Sequence, residues 1–264
     1  MSRFVKQISS AANPVVKTLK SLALKKHRDE TGLFLVEGLR HIREALDAGW
    51  QIETLCFTAE ARGEAEDLAH AYSLHGDMLE MPADLLSRIT GRDNTQGVIA
   101  ALHMRTYNID TLSQTESLWI ALEDIRDPGN LGTIIRTADA VGAAGIVLIG
   151  QTCDPFAPET VRATVGAFAR QKIIRATRAE AAAAIAQSKI RAVGTHLRTT
   201  TDYRKGDYAL PLLLVMGSEQ NGLSDEITAA CTELVKIPMP GGTESLNLAV
   251  STGIMLYEIC RERL

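Results

Sequence analysis

From Leu118 onward, short apolar runs suited to strands alternate with segments of helical periodicity. The pattern predicts strands over 118–125, 145–150, 172–176, 190–194, 210–216 and 233–237. It predicts helices over 131–141, 158–171, 179–188 and 225–231, with a long one over 246–261. Runs such as Ile146–Ile149 (IVLI) and Leu212–Met216 (LLLVM) have no polar side. They imply a parallel sheet covered on both faces. Its crossovers are expected to be right-handed, and its ligands to bind beyond the carboxyl ends of the strands.

Three glycine-bearing stretches fall at such ends: Asp127–Arg136 (DPGNLGTIIR), Met216–Ser224 (MGSEQNGLS) and Ile237–Val250 (IPMPGGTESLNLAV). Pro128 fixes its own φ and Gly129 permits a tight turn. Asn130 is the expected N-cap of a helix starting at Leu131. Arg136 lies nearly two turns further on, beside Thr133, Thr137 and Ala140. Its planar fork suits a phosphate or a carboxylate, and an ion pair to Asp127 or Asp139 is the structural alternative. Glu219 can hold a ribose hydroxyl, a cationic ligand group or helix amides. Ser224 is the expected cap of the following helix. Ser245 is the expected cap of the last helix, which places Asn247 in its first turn. Neither G-x-G-x-x-G nor a Walker A lysine is present.

The first part reads as a small α/β unit. A basic amphipathic helix over 14–27 precedes strands at 31–36, 52–57 and 97–104 and helices at 37–48, 59–71 and 82–89. The polar stretch 107–117 reads as a linker, so the expected domains are 1–106 and 118–264.

Charge is unevenly spread. Residues 1–43 carry nine Lys/Arg against three Asp/Glu, 44–117 four against thirteen, and 162–205 ten against two. Two basic stretches around an acidic one suggest a phosphate-facing surface, or else ordinary solvated faces. Cys56, Cys153, Cys231 and Cys260 have no metal-ligand spacing, and the six histidines make no ligand cluster, so no metal is expected. The cysteine usage points to the cytoplasm. No apolar run is long enough to span a membrane, and no secretory signal is expected at the N-terminus.

Four stretches occur in order: DPGNLGTIIRTADAVG (127–142), VRATVGA (161–167), VMGSEQNGLS (215–224) and IPMPGGTESLNLAVSTGIMLYE (237–258). In these the chain resembles the TrmH/SpoU group of SPOUT RNA 2′-O-ribose methyltransferases, over 118–264. Residues 14–106, most legibly 34–58, resemble the small L30e-like RNA-binding domain that often precedes it. The resemblance implies an α/β protein whose C-terminal SPOUT domain is a trefoil-knotted parallel sheet. It implies S-adenosyl-L-methionine as cofactor, held by Thr195, Met216, Gly217, Glu219, Ile237, Met239, Gly241, Gly242 and Leu246. Asn130, Arg136, Glu219, Ser245 and Asn247 align with the family's catalytic polar site. A homodimer through the C-terminal domain is implied, with RNA as partner. The expected substrate is 23S ribosomal RNA, and the alternatives are tRNA, methylation of a base, or a non-catalytic RNA-binding assembly factor. Thr164 stands where the family commonly has serine, which keeps the hydroxyl.

The family's account makes Arg136 a general base, yet a guanidinium has five donors and no acceptor. We favour Arg136 holding the target phosphate, with a phosphate oxygen or a transiently neutral Arg136 taking the proton. Alignment of the 2′-oxygen with the methyl group is the larger contribution.

Overall fold

The computed structural model describes residues 5–93, 95–114 and 117–263, without the side chains of 113 and 114. Residues 1–4 of the expected first domain and 115–116 of the expected linker lie outside these. The chain forms two compact units, Met1–Met104 with Phe156–Arg170, and Arg105–Pro155 with Gln171–Leu264.

In the first unit β1 (Val5–Gln7), β2 (Leu33–Glu37), β3 (Ile52–Phe57), β4 (Asp77–Glu80) and β5 (Val98–His103) form a mixed sheet ordered β1-β4-β3-β5-β2. Among the described residues the same stretch has five helices: α1 (Pro14–Ser21), α2 (Lys25–Thr31), α3 (Leu39–Asp47), α4 (Arg62–Ala71) and α5 (Ala83–Thr90). Strand alternation sends Cys56 to one face, under Val16, Leu19, Leu85 and Leu86 of α1 and α5. It sends Leu55 and Phe57 to the other, under α3 and α4. The helix expected over 14–27 is two helices. The buried Arg28 folds back and donates from Nη1 to the carbonyls of Leu22 at 2.7 Å and Ala23 at 2.9 Å, closing the end of α1.

In the second unit β6 (Leu118–Glu123) leads into α6 (Pro128–Ala140) and β7 (Gly145–Ile149). The next stretch, Phe156–Arg170 with α7 (Pro158–Ala163), belongs to the first unit. The second unit resumes with β8 (Lys172–Ala176), α8 (Arg178–Gln187), β9 (Arg191–Thr195), β10 (Leu212–Met216), α9 (Asp225–Ala230), β11 (Glu233–Val235) and α10 (Leu248–Ile259). Its sheet runs β11-β9-β10-β6-β7-β8 and every pairing is parallel. After β6 the chain first adds strands on one side, then on the other. The switch therefore lies between the carboxyl ends of β6 and β10, where a crevice is expected in such sheets.

The stretch 156–170 differs from its sequence reading. Periodicity placed it in the second domain, but Phe156 and Phe168 pack on Phe34 with ring centroids 4.8 and 5.6 Å apart. Trp50 Nε1 donates to the Ala169 carbonyl at 2.9 Å. The expected helix also stops at Ala163. Val165 (φ 52) and Gly166 (φ 91) turn left-handed, and a Cβ on Gly166 would meet Glu44 Oε2 at 2.2 Å. Such a φ is uncommon for a β-branched residue. The Thr164 hydroxyl is buried and donates to the Val161 carbonyl at 2.7 Å, so it does not face solvent.

Candidate active site

The end of β6 anchors the loop that follows β10. Buried Glu123 accepts from Arg178 Nε at 2.5 Å and from the Ser224 amide at 2.8 Å. Its hydrogen bond raises the pKa of Arg178 above the usual arginine value. Arg178 also pairs with Asp124. Ser224 caps α9 as expected, accepting from the Ile227 amide. Between these points the loop closes on itself. The Gly222 amide donates to the Ser218 carbonyl at 2.9 Å, and the Asn221 amide to Ser218 Oγ at 3.2 Å. Gly217 lies against this turn: a Cβ there would sit 2.1 Å from the Gly222 carbonyl carbon. Here the glycine is demanded by backbone against backbone.

The folded loop presents Glu219. Its Oε1 accepts from Asn130 Nδ2 at 3.1 Å, Asn247 Nδ2 at 3.2 Å and the Leu248 amide at 2.9 Å. The orientation of both asparagines follows from this network. Asn247 Oδ1 accepts from the Ala249 and Val250 amides, so its Nδ2 must point outward, and it donates to Asn130 Oδ1 at 3.0 Å. That leaves Asn130 Nδ2 for Glu219. The carboxylate thus lies at the first amide of α10, where the helix dipole favours negative charge.

Two capping expectations are corrected. Asp127, not Asn130, caps α6, accepting from the Asn130 amide at 2.6 Å, so the helix starts at Pro128. Asn247, not Ser245, caps α10. Both corrections favour the site, because Asn130 is released to reach Glu219, and Asn247 joins helix and carboxylate.

Two cavities share Ser218–Asn221 and Leu248 as lining. The first, ≈ 390 Å³, is walled by Met216, Ile237, Met239, Leu246 and Leu248, with Thr195, Gly217, Glu219 and Ser245 also facing it. The second, ≈ 350 Å³, is bordered by Asp124, Arg126, Asp127 and Asn130. Both volumes suit small-molecule sites, which run about 300–1,000 Å³. Gly241 and Gly242 line neither, and a Cβ on either would meet nothing within 4 Å.

Arg136 also stands apart from both cavities. It is exposed on α6, and among the described residues its guanidinium has no hydrogen-bond or ion-pair partner. Neither expected alternative, a pair with Asp127 or with Asp139, is formed. Sequence reasoning missed His196, Arg198 and Lys236 in the first cavity and Arg126 in the second. The carboxyl-end rule, applied to β9 as it was to β6, β10 and β11, reaches His196 and Arg198.

The basic stretches are more neutral than their counts suggest. Lys25 and Lys26 pair with Asp29 and Glu30. Arg162, Arg170, Arg175, Arg178, Arg191 and Arg204 each have a carboxylate partner. Burial pushes the Cys153 thiol up to about 11 and the Cys231 thiol up to about 12. Among the described residues no His/Cys/Asp/Glu group could hold a metal, and no helix is long and apolar enough to cross a membrane.

Comparison with known proteins adds a family. The model of the SpoU rRNA Methylase family matches residues 117–257, and that of the MRM3-like substrate binding domain matches residues 13–100. A crystal structure of AdoMet-bound rRNA methyltransferase from Sinorhizobium meliloti is similar with a TM-score of 0.92 and 43% identity, over 98% of this chain and 99% of that one. The 23S rRNA (uridine(2479)-2′-O)-methyltransferase of Streptomyces viridochromogenes is 31% identical, over 92% of this chain and 88% of its own length. The 23S rRNA (guanosine(2553)-2′-O)-methyltransferase RlmP of Bacillus subtilis (strain 168) is 29% identical, over 97% and 99%.

Proposed function

The chain belongs to the SpoU rRNA methylase family, and from that premise we propose that it methylates a ribose 2′-hydroxyl of 23S ribosomal RNA with S-adenosyl-L-methionine as donor. The observation that carries this reading is the Asn130–Glu219–Asn247 network, built where β6 and β10 end and flanked by two cavities. The apolar wall of Met216, Ile237, Met239 and Leu246 fits a purine and a thioether-like chain, and Arg198 and Lys236 fit a carboxylate. When bound, S-adenosylmethionine supplies a methyl group on a positively charged sulfur, an electrophile that needs no metal.

The residues of the chain position and stabilise. Glu219 fixes both asparagine amides and the start of α10, so the groups between the cavities need little reorganisation during attack. Arg136, exposed and unpaired, is available to a phosphate of the target RNA. Held by that phosphate, the RNA is positioned so that its 2′-oxygen, losing its proton to a phosphate oxygen, attacks the methyl group.

We also assign a homodimer through α10, on which Val250 and Tyr257 are each 54% exposed although large and apolar. Light scattering in solution tests this, and a monomer at micromolar concentration would refute it. The activity is tested by incubating the protein and labelled donor with 23S rRNA from cells lacking the gene. A single new 2′-O-methyl is expected. No transfer to that RNA, or transfer to tRNA or to a base instead, would overturn the reading. Cytoplasmic action follows from a ribosomal substrate.

A further inference from the structure

We propose that the second cavity receives the target nucleotide, sugar and base inward, with Arg126 at its rim holding the nucleotide's phosphate. The inference rests on the methyltransferase reading and names where its RNA substrate sits. The cavity shares Glu219 and Leu248 with the first cavity, so a ribose within it lies next to whatever the first cavity holds. That adjacency is what transfer to a ribose oxygen requires.

Charge sets the orientation. Asp124, Asp127 and Glu219 line the cavity, and among the described residues Arg126 is its one cationic lining residue. Asp124 is paired with Arg178, Asp127 caps α6, and Glu219 Oε1 already has three donors. Carboxylates repel a phosphate but accept hydrogen bonds from ribose hydroxyls and from base amino or imino groups. The phosphate is therefore the part of a nucleotide that belongs at the rim. Arg126 is suited to it: its Nη2 donates only to the neutral Gln151 Oε1, at 3.2 Å, and among the described residues it has no carboxylate partner. Its charge and remaining donors are open to a phosphate. The site also accounts for the two amide side chains beside it, Gln220 and Asn221, which can read a base edge of either polarity.

The test uses the full chain with 23S rRNA lacking the modification. Arg126 is exposed, so Arg126→Ala is expected to fold. Its KM for RNA should rise about tenfold or more, while affinity for S-adenosylhomocysteine, measured by calorimetry, stays unchanged. Arg126→Lys should recover part of the loss, and Arg126→Ala should flatten the dependence of RNA binding on salt by roughly one phosphate contact. An unchanged KM overturns the proposal, as does a loss of S-adenosylhomocysteine affinity that accounts for the change. A separate arm soaks crystals with S-adenosylhomocysteine and guanosine or uridine 5′-monophosphate. Phosphate density against Arg126 supports the assignment; density elsewhere, or none in this cavity, refutes it. Activity of the unaltered protein distinguishes the two readings. If it methylates RNA and Arg126→Ala behaves identically, only this inference fails; if it methylates no RNA, the function itself fails, and the crystals still decide the cavity.

Discussion

The two glycine loops that border the first cavity are built on opposite principles. In the loop after β10, the chain itself dictates the glycine: Gly217 has backbone within 2.1 Å of where a Cβ would be. In the loop after β11, Gly241 and Gly242 have open space around the same position. The first loop is fixed by its own contacts and presents Glu219 in a completed network. The second carries small residues that no packing within the chain explains. Arg136 belongs with the second kind, as a charged group with no partner among the described residues. One half of the site is thus prebuilt, and the other half consists of groups whose use lies outside the folded chain. Substitutions in the first half should cost stability, and those in the second should cost function without costing stability.

The largest separation is expected at Arg136. Arg136→Ala should lower the rate of transfer by about 10²-fold, the cost of a misplaced substrate. Its melting temperature and donor affinity should match the parent, because no contact is lost. Single-turnover methylation together with calorimetry measures both. A melting temperature that falls with the activity would place Arg136 in the prebuilt half and end the contrast.

Gly217→Ala should do the reverse. The new Cβ meets the Gly222 carbonyl and the Leu223 amide, neither of which is a flexible side-chain end. Overpacking of this kind costs about 1–3 kcal/mol. Unfolding in urea should show that loss, with donor affinity falling alongside it as the loop shifts. Normal stability would mean the loop is not the fixed element described here.

Glu219→Ala is expected to be intermediate. Three donors lose an acceptor, but they lie near water, so the cost is about 1–2 kcal/mol, at the low end for bonds to a charged group. Glu219→Gln keeps an acceptor and should lose less stability. If both variants are as stable as the parent yet inactive, Glu219 acts on the substrate and not as an organiser.

The same division explains how much was legible in the sequence. The central strands of the second unit could be read because they are continuous apolar runs between turn residues, as with Gly145–Ile149 and Leu212–Met216. In the first unit β1 and β4 were not read: Val5–Gln7 and Asp77–Glu80 are short, polar at one or both ends, and strands only because they pair with each other and with β3. The placement of 156–170 was invisible for a related reason. Periodicity reports that a segment has an apolar side, not which sheet that side covers, and Phe168 finds Trp50 across more than a hundred residues. At the site, the motifs identified Asn130, Glu219 and Asn247, while their hydrogen bonds depended on which residue caps each helix. Asp127 and Asn130 are both good caps, as are Ser245 and Asn247, and local preference does not choose between them.

Gly241→Ala gives the smallest and most discriminating effect. Gly241 does not have a positive φ, and nothing lies within 4 Å of an added Cβ. Alanine is therefore compatible with the native backbone, and it reduces the freedom of the unfolded chain. Stability should rise slightly, by about 0.4–1 kcal/mol. The family resemblance assigns Gly241 and Gly242 to the donor, through their backbone, and close approach of a ligand to backbone is what a Cβ obstructs. A modest fall in S-adenosylmethionine affinity, together with the gain in melting temperature, would then separate the two loops cleanly. Stability and affinity that both rise would show that Gly241 is dispensable to the donor. The openness of that loop would then have to serve RNA or the second subunit, which methylation kinetics and light scattering on the same variant can tell apart.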